Sequence, residues 1–309
     1  MGERVCDGVA ERLGVEVRRG VSASLLTTYR GGGCAERVYL PCGAERAAEF
    51  AAECAARGER LFVMGGGSKT VMADGSISFP VLSTANMRRV EVAGFDEGRV
   101  LVRAEGGAHV ADVLAVCAEA GCGGLEFMAG VRASVGGMVR MNAGAFGEQT
   151  ADHVYETEIL NPVSGEIIKK PGSETDFGYR RGERGFVLAV TFAFPVMSAE
   201  ERARRWRGYI AARRARQPAL PSCGSVFRNA GEVFAGELIE RAGMKGMRLG
   251  GAEISRLHGN FIVNTGGASA ADLFGLAELA AERVRELFGV SLEKEFEILK
   301  DGLPFRANL

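Results

Sequence analysis

Apolar and polar positions alternate along the chain in three different ways. Up to about residue 80 the period switches between two and three to four. RVYLPC (37–42) reads as a strand, and GAERAAEFAAECAARG (43–58) as an alanine-rich amphipathic helix stopped at Gly58. LFVMGGGSKT (61–70) reads as a strand running into a glycine loop. That order predicts a small α/β subdomain over 20–80. From 81 to 197 short strands dominate. RRVEVAG and RVLVRAEGG flank the turn-like GFDEG (94–98), which predicts a hairpin. HVADVLAVCAEAGCGG (109–124) predicts a helix ending in glycines. VYETEILNPVSGEIIKK (154–170) predicts a second hairpin, turning at Asn161-Pro162 and Ser164-Gly165. GFVLAVTFAFPVM (185–197) predicts a buried strand. Hairpins with few helices make 81–197 an α+β subdomain.

The pattern changes again at 198–221, an arginine-rich stretch that predicts a linking helix stopped by two prolines. Glu200 and Glu201 at its start suit the helix dipole. Beyond it, GELIERAGMKG (236–246) and 269–290 read as helices, and NFIVNTGG (260–267) and SLEKEFEILK (291–300) as strands. The expectation for 198–309 is a second α/β domain.

Composition narrows the function classes. The 309 residues are 47% hydrophobic and 25% charged, ordinary values for a globular protein. A formal net charge of −1 argues against general binding to nucleic acid or anionic membranes. The arginine-rich helix therefore reads as a solvated face, with only Trp206 and Tyr209 as stacking aromatics. Seven cysteines contain no C-x-x-C pair, so no zinc ribbon or thioredoxin-like site is expected. Free thiols fit a reducing cytoplasm. MGERVCDGVAERLG lacks a signal-peptide core, and 185–197 is too short to span a bilayer. The expectation is a cytoplasmic monomer with no metal site.

Chemistry is suggested first by Gly65, Gly66, Gly67, Ser68 and Lys69. A Walker loop needs glycine directly before the lysine, and Ser68 stands there. A dinucleotide fingerprint needs a third glycine where Thr70 stands. Bare backbone N–H groups that can cradle a diphosphate remain, and an ordinary glycine turn has the same signature. Four more stretches are unusual: TTYRGGG (27–33), AGVRASVGGMVRMNAGAFG (129–147), DFGYRRGERG (176–185) and PSCGSVFRNAGEVFAGELIERAG (221–243). Runs of small residues mean close backbone approach, to another segment or to a ligand.

Together these motifs resemble the UDP-N-acetylenolpyruvoylglucosamine reductases, flavoenzymes of peptidoglycan precursor synthesis. The resemblance runs over 25–300. TTYRGGG is similar to T-x-[YF]-x-x-G-G, MGGGSK to the G-x-G-S-N flavin diphosphate loop, and SVGGMVRMNAGAFG to V-G-G-x-x-x-M-N-A-G-A-[YF]-G. FGYR, QPALPSCGSVFRN and GVSLEKEFEIL match further signatures in family order. The chain looks like the shorter of two subtypes, which lacks an extra substrate-covering loop. It departs in three places: VRAS (131–134) replaces I-P-G-S and brings in Arg132, Lys69 replaces asparagine, and Ala230 replaces proline.

The resemblance implies a two-part FAD-binding fold of the vanillyl-alcohol-oxidase/PCMH type, with a C-terminal domain for a UDP-sugar nucleotide. It implies non-covalent FAD, NADPH as co-substrate, and hydride transfer to an enolpyruvyl ether to give UDP-N-acetylmuramate. Cofactor contacts would come from Tyr29, Arg30, Gly65, Gly66, Gly67, Ser68, Lys69, Ser134, Val135, Gly136, Gly137, Asn142, Ala143 and Gly144. Substrate contacts would come from Tyr179, Arg228, Asn229, His258 and Asn260. The implied catalytic set is Ser225, Arg180 and Glu295. Hydride addition at the β-carbon builds an enolate that must be stabilised and then protonated at the α-carbon. By the family pattern Ser225 gives the proton, Arg180 offers a planar fork to the substrate carboxylate, and Glu295 stabilises or polarises that carboxylate. Glu293 and Glu295, two apart on a predicted strand, should share a face. Residue chemistry alone leaves plainer roles open: Ser225 as a turn serine, Arg180 and Arg228 as surface arginines, Asn229 and His109 as caps, His258 as structural. The alternative function is a non-catalytic flavin- or nucleotide-binding protein on the same fold.

Overall fold

Helix Glu3–Leu13 begins the computed structural model, which describes residues 3–161, 164–229, 231 and 233–301. Pro162 of the second hairpin turn and Ala230 lie outside the described residues. The first helix is an element the sequence reading did not include. It buries Cys6, Val9, Ala10 and Leu13 against Phe50, Ala51 and Cys54 of helix Ala44–Ala56. The same core takes in Leu160, Phe186 and Leu188 of the next subdomain, so the two share apolar interior.

The first sheet is mixed. Cys34–Leu40 pairs antiparallel with Glu16–Ser22 and parallel with Val81–Ser83, which pairs parallel with Phe62–Met64. Helix Ala44–Ala56 starts after Gly43, which offers no side chain as a cap. Glu105 of the second sheet takes that role: its Oε1 accepts from the Ala44 amide at 2.9 Å. A carboxylate there completes the exposed helix start and suits the dipole.

The second sheet is wholly antiparallel, in the order Ile167–Pro171, Val154–Leu160, Phe186–Pro195, Arg99–Glu105, Val90–Asp96. Phe186–Pro195 is central, and every residue through Phe194 is buried. That burial on both faces explains its apolar run, interrupted only by Thr191. The first hairpin turn is shorter than GFDEG suggests. The strand continues to Asp96 past a bulge at Val92/Gly94, and Glu97 and Gly98 turn at φ 47° and 77°. Helix Val110–Ala120 follows His109, whose amide donates to Asp112, and stops at left-handed Gly121.

Linking helix Ala199–Arg216 has no fully buried residue. The C-terminal sheet is antiparallel, in the order Ser222–Ser225, Phe261–Asn264, Ala252–Ile254, Arg248–Leu249. Helices Ala235–Arg241 and Ala270–Phe288 cover it. Because its strands are joined by antiparallel pairing, this domain is α+β, where an α/β unit was expected. Strand Glu297–Leu299 does not join that sheet. It pairs parallel with Thr70–Met72, directly after the glycine loop. Among the described residues no helix is long and apolar enough to cross a membrane.

Candidate active site

A cleft of about 630 Å³ opens where the glycine-rich segments, the end of the linking helix and the C-terminal sheet meet. Ser68, Lys69, Gly137, Ala143 and Gly144 line one part, and Arg180, Ser225 and Glu295 another.

Two glycine segments are joined through Ser134. Its Oγ accepts from the Gly66 amide at 3.2 Å and from the Gly137 amide at 3.4 Å. A Cβ on Gly65 would come within 2.2 Å of that oxygen. Gly67 is left-handed at φ 62°, and a Cβ there would lie 2.0 Å from the Leu26 carbonyl. Glycine is therefore required at Gly67, and at Gly65 a side chain would displace the Ser134 hydroxyl. Among the described residues the Gly65, Gly67 and Ser68 amides have no protein acceptor. Grouped free donors on a bare backbone fit a diphosphate. The Val135 and Gly136 amides are already used, by Ala108 O and Gly106 O at 2.8 Å each.

At the other end three charged side chains meet. Glu295 Oε1 accepts from Arg180 Nε at 2.9 Å and lies 3.1 Å from Lys69 Nζ. The Glu295 side chain is 3% exposed, and a carboxylate buried that deeply needs such partners. Lys69 also donates to the Ser225 carbonyl at 2.6 Å. Arg180 sits in a tight turn closed by Gly178 and Arg181, which exchange backbone hydrogen bonds at 2.8 and 3.1 Å. Its φ of 54° is left-handed, costing about 1–2 kcal/mol for a residue with a Cβ. Its guanidinium stacks 4.9 Å from the Tyr179 ring centroid, and the Tyr179 hydroxyl accepts from the Asn229 amide at 3.1 Å. Ser225 ends a strand paired to Phe261. Cys223 is also at the cleft, and burial pushes its thiol up to about 11, so it stays protonated near neutral pH.

Several residues assigned by resemblance stand elsewhere. Tyr29 is fully buried in the C-terminal core, its hydroxyl 3.4 Å from Ser269 O, and does not line the cleft. Arg30 is exposed outside it. Asn142 is buried with its side chain committed: Nδ2 donates to Gln149 and Gly178, and Oδ1 accepts from Ala151. It thereby supports the base of the Arg180 turn. Asn260 spends both polar atoms on the Phe227 amide and carbonyl, at 2.9 and 2.8 Å, holding the chain just past Ser225. The Asn229 side chain accepts from the Ala235 amide at a helix start. Arg228 pairs with Glu293 at 3.3 Å, outside the cleft. His258 also stands outside. Its Nδ1 accepts from the Asn260 amide, and burial holds its pKa below the usual histidine value. Glu293 and Glu295 do not share a face: Glu293 is 70% exposed and Glu295 is buried. The chain there has only an isolated bridge at Lys294, and the strand begins at Glu297.

The sequence reading also missed part of the lining. Arg213, Arg214 and Gln217 reach the cleft from the linking helix, although that helix read as a solvated face. Arg213 donates to Ala129 O and Phe127 O at 3.0 and 2.9 Å. The available signal was position: the helix feeds through 217–221 straight into the Ser225 strand.

Comparison with known proteins agrees with this layout. The family model "FAD binding domain" matches residues 35–170, and "UDP-N-acetylenolpyruvoylglucosamine reductase, C-terminal domain" matches residues 216–299. The UDP-N-acetylenolpyruvoylglucosamine reductase of Methylococcus capsulatus is 41% identical over 89% of this chain and 90% of its own length. That of Lactobacillus johnsonii is 35% identical over 93% and 95%. The crystal structure of the enzyme from Thermus caldophilus superposes with a TM-score of 0.76 at 30% identity, covering 93% of this chain and 99% of that one. With similarity extending through both the FAD-binding part and the C-terminal domain, the chain belongs to the UDP-N-acetylenolpyruvoylglucosamine reductase family.

Proposed function

We propose that the chain is an FAD-dependent reductase that uses NADPH to convert UDP-N-acetylglucosamine enolpyruvate to UDP-N-acetylmuramate. One observation carries the reading: Arg180, Ser225 and Glu295, from distant parts of the chain, line the same cleft as the glycine-segment residues Ser68 and Gly137. Bound FAD would supply hydride storage between the two half-reactions. The Gly65, Gly67 and Ser68 amides suit its diphosphate. Besides the Lys69–Glu295–Arg180 cluster, Arg132, Arg213 and Arg214 face the cleft, a balance that favours ligands carrying phosphates and a carboxylate.

The residues divide the work as follows. Arg180 binds the substrate carboxylate with its planar donors and stabilises charge that spreads onto it as the α-carbon becomes enolate-like. Ser225 gives its hydroxyl proton to that carbon. A serine is a weak acid in water, but the carbon is strongly basic, so placement matters more than acidity. Glu295, held by two cations, orients Arg180. The seven cysteines, all free thiols, suit a reducing cytoplasm.

The test is spectroscopic. The purified protein should be yellow or reconstitute with FAD, and should oxidise NADPH when given the enolpyruvyl substrate. Ser225→Ala should keep flavin reduction by NADPH within about twofold and lose at least about 100-fold in reoxidation by substrate. A protein that cannot take up FAD would sink the reading. Equal loss in both half-reactions would remove Ser225 as the proton donor.

A further inference from the structure

Lys69 closes the glycine loop, and its ammonium is committed to Ser225 and Glu295. It donates to the Ser225 carbonyl at 2.6 Å and lies 3.1 Å from Glu295 Oε1. Gly224 beside it is left-handed at φ 71°, and a Cβ there would come within 3.4 Å of Nζ, so the lysine lies against bare backbone. The Lys69 carbonyl accepts from the Glu297 amide at 2.7 Å. One residue thus grips the Ser225 strand with its side chain and the Glu295 segment with both side chain and main chain. Of the other links between those two segments, Glu295 N to Val226 O and Arg228 N to Glu293 O, at 2.8 Å each, fix main chain only, and the Arg228–Glu293 ion pair stands outside the cleft.

Two cations share Glu295 Oε1, and they differ in freedom. A substrate carboxylate competes with Glu295 for the Arg180 guanidinium. Lys69 is tied to Ser225 and stays. A buried carboxylate stripped of its partner is costly, so a cation that stays keeps Glu295 in place while Arg180 turns to substrate. Asparagine, usual at this place in the motif the chain resembles, is too short to span from loop to carboxylate.

We propose that Lys69 is a positioning residue of the reduction step, fixing Glu295 and the Ser225 peptide in one geometry and leaving the cofactor diphosphate to the loop amides. The proposal rests on the reductase reading above. It is tested on holoenzyme carrying Lys69→Met, with Lys69→Arg as the conservative variant. Lys69→Met should keep full FAD content and reduce its flavin with NADPH within about twofold of wild type. Its kcat for the enolpyruvyl substrate should fall between about 10- and 100-fold, the scale of a misplaced reacting group, with KM changed less than about threefold. Lys69→Arg should recover most of that rate. If Lys69→Met does not fold, Lys69→Gln carries the same expectation. Loss of FAD content that accounts for the lost rate, a rise in KM at unchanged kcat, or two unaffected half-reactions would each overturn the proposal. So would Lys69→Arg behaving no better than Lys69→Met. Wild-type protein that does not turn over the substrate overturns the reductase reading, whereas a competent wild type matched by Lys69→Met overturns this assignment alone.

Discussion

A methyl group on Gly65 would sit 2.2 Å from Ser134 Oγ, and that oxygen already holds the Gly66 and Gly137 amides. Gly65→Ala therefore strains both glycine segments at once. We expect FAD to bind at least about tenfold more weakly to the variant, a loss of about 1.4 kcal/mol, measured by fluorescence titration of deflavinated protein. Thermal unfolding of that apoprotein should shift by only a few degrees. Unchanged FAD affinity would show that the cradle tolerates the methyl group. At this scale the glycine run was legible as bare backbone, while the contacts that demand it, Ser134 for Gly65 and Leu26 for Gly67, come from remote segments. Asn142 and Asn260 were not, because a motif marks a residue as needed without saying for what. Both side chains are spent on protein groups, supporting the Arg180 turn and the chain after Ser225. The contacts of Lys69 were hidden for a different reason. Beside a phosphate loop a lysine reads as a phosphate partner, and only the fold reveals Glu295 and Ser225 within its reach.

Arg103 and Glu158 stand on the two strands that flank Phe186–Pro195, and they meet across it. The contact is bidentate, at 2.6 and 2.7 Å, with the side chains 24% and 11% exposed. The hydrogen bond from Arg103 holds the Glu158 carboxyl below its ordinary pKa. The folded value thus lies under the unfolded one of about 4.3, so this stabilisation is complete above that pH and is lost as pH falls through the folded value. Glu158→Gln should cost about 2 kcal/mol at neutral pH. The gap in Tm from wild type should narrow as the pH drops below about 4. Thermal scans across that range check it, and a gap independent of pH would count against the pair. Among elements, the strands and long helices were legible as periods of two and 3.6. Helix Glu3–Leu13 carried the same signal, with buried Cys6, Val9, Ala10 and Leu13 spaced i, i+3, i+4, i+7. Alanine, valine and a cysteine at those places make only a weak hydrophobic stripe.

The parts of the molecule are tied by segments remote in sequence. Thr28 Oγ1 donates to Ser222 O at 2.7 Å, and Asn264 Nδ2 donates to the Tyr29 and Arg30 carbonyls. Glu297–Leu299 completes the pairing of Thr70–Met72, with Ile298 opposite Val71. Glu297→Pro removes the amide that donates to the Lys69 carbonyl at 2.7 Å and should cost about 1–3 kcal/mol. We expect both a lower Tm and weaker FAD retention, although residue 297 is far in sequence from the glycine loop. FAD content measured after gel filtration tests this, and full retention would show that the loop holds without the ladder. Whole-molecule order was the least legible level. Local pattern placed 291–300 as a strand but could not name its partner, since pairing depends on register with a segment made much earlier.

That late pairing has a consequence during synthesis. Lys69 and Ser225 are 156 residues apart, which at about 5–20 residues per second means about 8–30 s of translation. Throughout that time, and until Glu297–Leu299 emerges, the Thr70–Met72 edge has no partner strand and Val71, fully buried in the finished protein, is uncovered. The Lys69–Ser225–Glu295 cluster of the cleft therefore cannot form piecemeal as the chain leaves the ribosome. It snaps shut once, after nearly all of the polypeptide exists, and any holding factor that guards the nascent enzyme has this edge to cover.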